Sequence, residues 1–162
     1  MKKNNVDKKT THVLMVCLGN ICRSSLAEGI LQSKIDLAKL SHIVVNSAGT
    51  IDYHVGEQPD PRSIAIALEN GVDIQSQQSS VFSISDFDTF DLIYVMDKSN
   101  YSDIMMLARG KEDKSKVRLI LNETSPNQDK DVPDPYYGGS KGFENVYKML
   151  DKACDKIIDN LR

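Results

Sequence analysis

Residues 12–25 read HVLMVCLGNICRSS, and the reading of this stretch decides the fold. HVLMV is an apolar run of strand length, and the segment after the stretch sets Leu26, Ala27, Ile30, Leu31 and Ile35 on one face at helical spacing. A strand that feeds a helix through a short run of small and polar residues opens a βα unit. The turn between them calls for positive φ, which Gly19 adopts freely and which Asn20, almost alone among other residues, also visits. Successive N–H groups in such a turn point inward beside the positive end of the helix dipole and form an anion-binding nest. Arg23, six positions after Cys17, would close the ring and grip two oxygens of a tetrahedral anion with its planar fork. The loop of Leu18, Gly19, Asn20, Ile21 and Cys22, with Ser24 behind it, therefore reads as a phosphate cradle with Cys17 at its base.

A cysteine among N–H donors, a helix N-terminus and a guanidinium is favoured as a thiolate. Cys17 is thus expected to be a nucleophile rather than a core cysteine. In-line attack on phosphorus would make a phosphocysteine, with Arg23 and the loop amides stabilising the equatorial oxygens. Ser24 would donate its hydroxyl to the sulfur, hold its charge and help it leave. Cys22 admits two readings: it traps an oxidised Cys17 as a disulfide, sparing it irreversible over-oxidation, or it packs as a small residue beneath the cradle. Cys154 falls on the apolar stripe of the last helix and reads as core. His12, His42 and His54 lack ligand spacing with Cys17 and Cys22, so a zinc site on the two thiols is not expected; nor is a cofactor expected.

The rest of the chain continues the βα pattern. Strands are expected at residues 12–16, 42–46, 91–96 and 117–121, and three of them are apolar enough to be buried on both faces, as in a parallel sheet flanked by helices. A helix starts at Asp60 as N-cap with Pro61 in its first turn and stops at Gly71. Ser99 is expected to cap another that carries Ile104, Met105 and Leu107. The last helix sets Phe143, Val146, Tyr147, Leu150, Cys154, Ile157, Ile158 and Leu161 at spacings of three and four. Residues 1–10 read as a polar tail, and residues 11–162 as one domain of a length that buries a sizeable core.

Composition narrows the partners. The net charge of −3 argues against nucleic acid, which needs concentrated positive charge. No apolar run approaches the ~20 residues of a membrane span, and HVLMV behind the basic MKKNNVDKKT is too short for a signal-peptide core. A cytoplasmic monomer with reduced thiols is expected, in keeping with an odd cysteine count.

Cleavage of a phosphoester by Cys17 needs a proton for the leaving oxygen. The irregular stretch at residues 122–142 is long for a loop, and within it VPDPYYGG offers Asp134, held extended by Pro133 and Pro135. The same carboxyl group would take a proton from the attacking water in the second step. Asp129, Asp131 and Asp88 compete for the role, since an Asp beside Pro is also a common turn initiator. Tyr136 and Tyr137 follow directly and would give a flat aromatic substrate a wall to stack on.

The blocks VCLGNICRS and AEG, then SAGT, YHVGEQPDPRS, MDKSN and DPYYGG, in this order along nearly the whole chain, resemble the low-molecular-weight protein tyrosine phosphatases. The resemblance implies an α/β fold with a four-stranded parallel sheet and the active site in the first strand-to-helix loop. It also implies Asp134 as general acid, Tyr53 as the aromatic on the opposite wall, and phosphotyrosine proteins as substrates. Three departures stand out. Ser25 replaces a usual proline, and Ile51 and Asp52 replace a more glycine-rich entrance. Gln77 and Ser80 stand where many relatives carry a histidine and an arginine, the histidine there helping a serine, here Ser47, to hold the cradle asparagine. Arsenate reductases of this fold relay a disulfide outward, for which this chain has only Cys154 to offer. Arginine phosphatases place threonine where Ile21 stands and form the alternative enzyme reading. A non-catalytic phosphotyrosine-binding module would need neither a nucleophile nor an acid, and a redox sensor would need only Cys17 and Cys22.

Overall fold

The computed structural model describes residues 9–162, apart from the side chains of Tyr137 and Ser140. Eight of the ten residues read as a polar tail lie outside the described part. In chain order the elements are β1 (Thr11–Cys17), α1 (Arg23–Ala38), β2 (Ile43–Gly49), α2 (Pro61–Glu69), α3 (Asp86–Thr89), β3 (Leu92–Val95), α4 (Lys98–Leu107), α5 (Lys111–Ser115), β4 (Val117–Leu119) and α6 (Gly139–Leu161). Short 3₁₀ turns occupy Ile120–Asn122 and Pro135–Tyr137.

All strand pairs are parallel, in the order β2-β1-β3-β4. The chain leaves β1 towards one edge to form β2 and then crosses back over β1 to form β3. Strand order therefore reverses at β1, and the crevice beyond its carboxyl end, between β1 and β3, is the place where such sheets bind ligands. Cys17 ends β1 there, paired in register with Gly49 at the end of β2.

Alternation along β1 sends Val13, Met15 and Cys17 to one face and Leu14 and Val16 to the other, and both faces are buried. On the first face they meet Leu26 and Ile30 of α1 and Leu150, Cys154 and Ile157 of α6; on the second, Phe87, Ile104 and Leu119. Cys154 is fully buried in that first cluster. Among the described residues no helix is long and apolar enough to cross a membrane.

Several boundaries differ from expectation. β2 runs on to Gly49, whereas β4 stops at Leu119 and tightens into a 3₁₀ turn. The N-cap of α4 is Asp97 rather than Ser99, and its side chain accepts the Asn100 N–H. A carboxylate at the end of β3 can reach that amide, and it also answers a second demand described below. Two short helices, α3 and α5, lack the apolar period that would reveal them. The Asp60 cap holds, its side chain accepting the Arg62 N–H beside Pro61.

Candidate active site

Between β1 and α1 the carbonyls face outward. Those of Cys17, Leu18 and Ile21 accept the N–H groups of Thr50 (2.9 Å), Ile51 (3.1 Å) and Asp60 (2.8 Å). Those of Gly19 and Asn20 accept the hydroxyls of Ser79 (3.0 Å) and Ser25 (2.9 Å). In a trans peptide the N–H points opposite to the C=O, so the amides of residues 18–22 are turned to the inside of the loop. The helix that follows starts at Cys22 with no side-chain capping hydrogen bond. An anion suits such a start, since it meets orphan amides and the positive helix end together.

Two residues make the turn possible. Asn20 sits at φ 57°, and its buried side chain is fully engaged: Nδ2 donates to Ser24 Oγ (2.7 Å) and Ser47 Oγ (2.9 Å), while Oδ1 accepts the Ser80 N–H (2.9 Å). Gly49 lies directly beneath the loop, where a Cβ would come within 2.7 Å of the Leu18 carbonyl oxygen and 3.1 Å of the Asn20 nitrogen.

Cys17 Sγ lies 3.0 Å from Ser24 Oγ. That hydroxyl accepts from Asn20 and keeps its own proton, which it can donate to a thiolate sulfur. Arg23 is 5% exposed, and its Nη1 donates to Asp97 Oδ2 at 2.6 Å and to the Val132 carbonyl at 2.9 Å. Asp97 gives the buried guanidinium its counter-charge from the end of β3 and was not singled out in the sequence. The signal was present: a buried arginine requires a partner, and MDKSN ends the strand that pairs with β1.

The loop that carries Asp134 is anchored by Val132, which donates its N–H to the Met96 carbonyl (2.8 Å) and offers its own carbonyl to Arg23. Of the four carboxylates in competition, only Asp134 lines the cavity of about 420 Å³ above the cradle, together with Cys17, Arg23, Ile21 and Cys22. Asp88 is tied to Arg109, Asp129 to Asn122, and Asp131 to the Lys98 N–H and ammonium. Asp134 caps the following turn by accepting the Tyr136 N–H at 3.0 Å. A larger cavity, of about 600 Å³, lies beside α4 and β4 among Lys98, Tyr101 and Arg118, and no cysteine lines it.

Tyr136 and Leu18 stand at the cavity mouth, Tyr136 60% exposed with the Arg62 guanidinium 5.0 Å from its ring centre. The side chain of Tyr137 lies outside the described residues. Ile51 and His54 also line the cavity; Tyr53 is not among its lining residues, being 79% exposed and meeting the His54 ring edge-on at 4.8 Å. His54 is drawn in because Glu57 accepts its Nδ1 at 2.6 Å and its ring lies over Gly19, where a Cβ would be 3.0 Å from Cδ2. Sequence reasoning considered His54 only as a metal ligand.

Cys22 is half-buried, and burial above all, with the nearby charges of Asp60 and Cys17, pushes its thiol pKa up to about 12. It is a neutral thiol in the wall of the cavity. Gln77 does not reach Asn20; its Nε2 donates to the Ser25 carbonyl at 3.1 Å.

The model of the family described as low molecular weight phosphotyrosine protein phosphatase matches residues 12–162. A phosphatase of that description from Schizosaccharomyces pombe is 40% identical over 144 residues, 88% of this chain and 91% of the relative. The crystal structure of a protein tyrosine phosphatase from Entamoeba histolytica, with Hepes in its active site, superposes with a TM-score of 0.87 at 36% identity over 94% of this chain and 97% of that one. A Drosophila arginine phosphatase superposes with a TM-score of 0.84 at 29% identity over 91% and 96% of the two chains. With a family match that runs from the first strand to the last residue and relatives this similar over almost their full length, the chain belongs to the low molecular weight phosphotyrosine protein phosphatases.

Proposed function

We propose that this chain hydrolyses phosphotyrosine in proteins through a phosphocysteine on Cys17. The Cys17 thiolate attacks phosphorus in line, the bond to the tyrosyl oxygen breaks, and Asp134 gives that oxygen its proton. Water then attacks the phosphocysteine, Asp134 takes the water proton, and the sulfur leaves with its electron pair while the Ser24 hydroxyl donates to it. Through both steps the inward amides and Arg23 bear the charge on the equatorial oxygens. The observation that carries this reading is that Cys17, Arg23 and Asp134 share one cavity, while every rival carboxylate is engaged elsewhere.

Ile21, Ile51 and Tyr136 give the cavity an apolar rim, which fits a flat aryl ester. The likeness to the Drosophila arginine phosphatase makes phosphoarginine the second substrate to try. Ile21, in the place of that group's threonine, favours the aromatic substrate. Turnover of p-nitrophenyl phosphate with vanadate inhibition, lost in Cys17→Ser and in Arg23→Lys, tests the activity. Faster release of phosphate from a phosphoarginine peptide than from a phosphotyrosine peptide would overturn the substrate class.

Cys22 adds a redox reading. Peroxide converts the Cys17 thiolate to a sulfenic acid, and the Cys22 sulfur displaces its hydroxyl as water, closing a disulfide that a dithiol reopens. An odd count of three cysteines fits a reducing cytoplasm, the compartment we assign to this chain as a monomer.

A further inference from the structure

Beyond the cradle, the hydrogen bonds of Asn20 continue to a group with no assigned part in the reaction. Ser47 Oγ, which accepts from Asn20, lies 3.0 Å from Glu28 Oε1. With Cys17 as a thiolate, which can only accept, the bonds of this chain share one polarity. Asn20 Oδ1 is taken by the Ser80 N–H, so both protons on Nδ2 go to the serines. Each serine has one proton and has already accepted one. Ser24 then donates to the Cys17 thiolate, and Ser47 donates to Glu28. An ionised carboxylate is an acceptor alone, so Glu28 ends the chain with the polarity it needs.

Glu28 lies on α1, half-buried, and burial raises its carboxyl above the ordinary carboxylate range against the hydrogen bond from Ser47, which lowers it. The other carboxylates nearby, Asp36 and Asp73 on one side and Asp86 on the other, line the cavities that flank Glu28 and make no hydrogen bond to it among the described residues. Gln77 also borders both cavities, but its Oε1 is buried without a hydrogen-bond partner among the described residues. It does not replace Glu28 at Ser47.

We propose that Glu28 is a positioning residue of the phosphatase reaction: as the acceptor at the far end of Glu28–Ser47–Asn20–Ser24–Cys17, it keeps Asn20 in its left-handed conformation and the Ser24 hydroxyl donating to the Cys17 sulfur. The proposal rests on Cys17 being the nucleophile. Donation to the sulfur matters most when the thiolate leaves phosphorus, so loss of Glu28 slows breakdown of the phosphocysteine more than its formation.

Steady-state and stopped-flow turnover of p-nitrophenyl phosphate by the full chain, Glu28→Ala, Glu28→Gln, Ser47→Ala and the Glu28→Ala/Ser47→Ala double variant tests this. Glu28→Ala should lose about 10- to 100-fold in kcat, with a smaller loss in kcat/KM and a larger burst of nitrophenol. Glu28→Gln, whose amide oxygen still accepts from Ser47, should recover most of the rate. The double variant should be no worse than the worse single one. Iodoacetamide labelling of Cys17 at fixed pH, followed by mass spectrometry of its peptide, should slow in Glu28→Ala and not in Glu28→Gln. That readout needs no turnover, so an inactive parent would count against the phosphatase reading while labelling still decides the role of Glu28. Parent-like labelling and kcat in Glu28→Ala, equal losses in the Ala and Gln variants, or additive losses in the double variant would overturn the proposal.

Discussion

Asp97→Asn separates charge from shape at the group that holds Arg23. The amide keeps the carboxylate's outline and can still cap α4 through the Asn100 N–H, for which Asn is as good as Asp. What it loses is the negative charge 2.6 Å from a guanidinium whose side chain is 6% exposed. Removing one partner of a fully buried pair costs about 3–5 kcal/mol. Here the Asp97 side chain is 19% exposed and the Val132 carbonyl still accepts from Arg23, which brings the expected cost to about 2–3 kcal/mol. At about 2–4 °C per kcal/mol for a chain of this size, the melting temperature should fall by about 4–12 °C. Calorimetry should show that saturating phosphate narrows this gap, because the anion supplies the counter-charge that the variant lacks. A guanidinium no longer fixed in plane should lower kcat by about 10- to 100-fold. If Asp97→Asn melts within about one degree of the parent and turns over at the parental rate, Asp97 does not govern Arg23 and this account of the cradle is wrong.

Three further outcomes follow from the geometry. Asp134→Asn should slow phenyl phosphate by about 10²–10⁴-fold and 2,4-dinitrophenyl phosphate far less, because only the poorer leaving group needs a proton; an equal loss on both would remove Asp134 as the acid. Gly49→Ala places a Cβ 2.7 Å from the Leu18 carbonyl oxygen, so it should cost about 1–3 kcal/mol in denaturant titration and depress kcat by displacing the loop; a parent-like variant would show that the contact relaxes freely. The Cys22 thiol, with its pKa pushed up to about 12, must deprotonate before it attacks an oxidised Cys17. Closure of the disulfide after a peroxide pulse should therefore accelerate about tenfold per pH unit between neutrality and that value, as followed by mass spectrometry, and Cys22→Ser should over-oxidise instead. A closure rate independent of pH would mean that another group activates Cys22.

How far the sequence discloses this arrangement depends on distance along the chain. Gly19, Asn20, Arg23 and Ser24 follow within a few residues of Cys17, and local chemistry alone dictates an anion loop there. The alternation of buried runs and helical periods likewise defines the parallel sheet, because strands covered on both faces must be apolar throughout. Contacts across the sheet are another matter. Asp97 stands 74 residues from Arg23 and carries no local mark beyond its place at a strand end. Asp134 had equal rivals in its own loop until the fold engaged Asp129 and Asp131 with Asn122 and Lys98. His54 rather than Tyr53 lines the cavity because a loop has no period to fix which neighbour faces inward, and there Glu57 holds His54. Without a histidine at Gln77, Asn20 is supported instead by the Ser80 backbone and Ser47, and a backbone donor leaves no trace in residue type.

The most direct test of the central claim is to quench the enzyme with acid during turnover of p-nitrophenyl phosphate and locate the phosphoryl group by peptide mass spectrometry. The account predicts a phosphoryl adduct on Cys17, formed at the rate of the nitrophenol burst and absent in Cys17→Ser. A phosphoryl group on any other residue, or sustained turnover with none on Cys17, would contradict it.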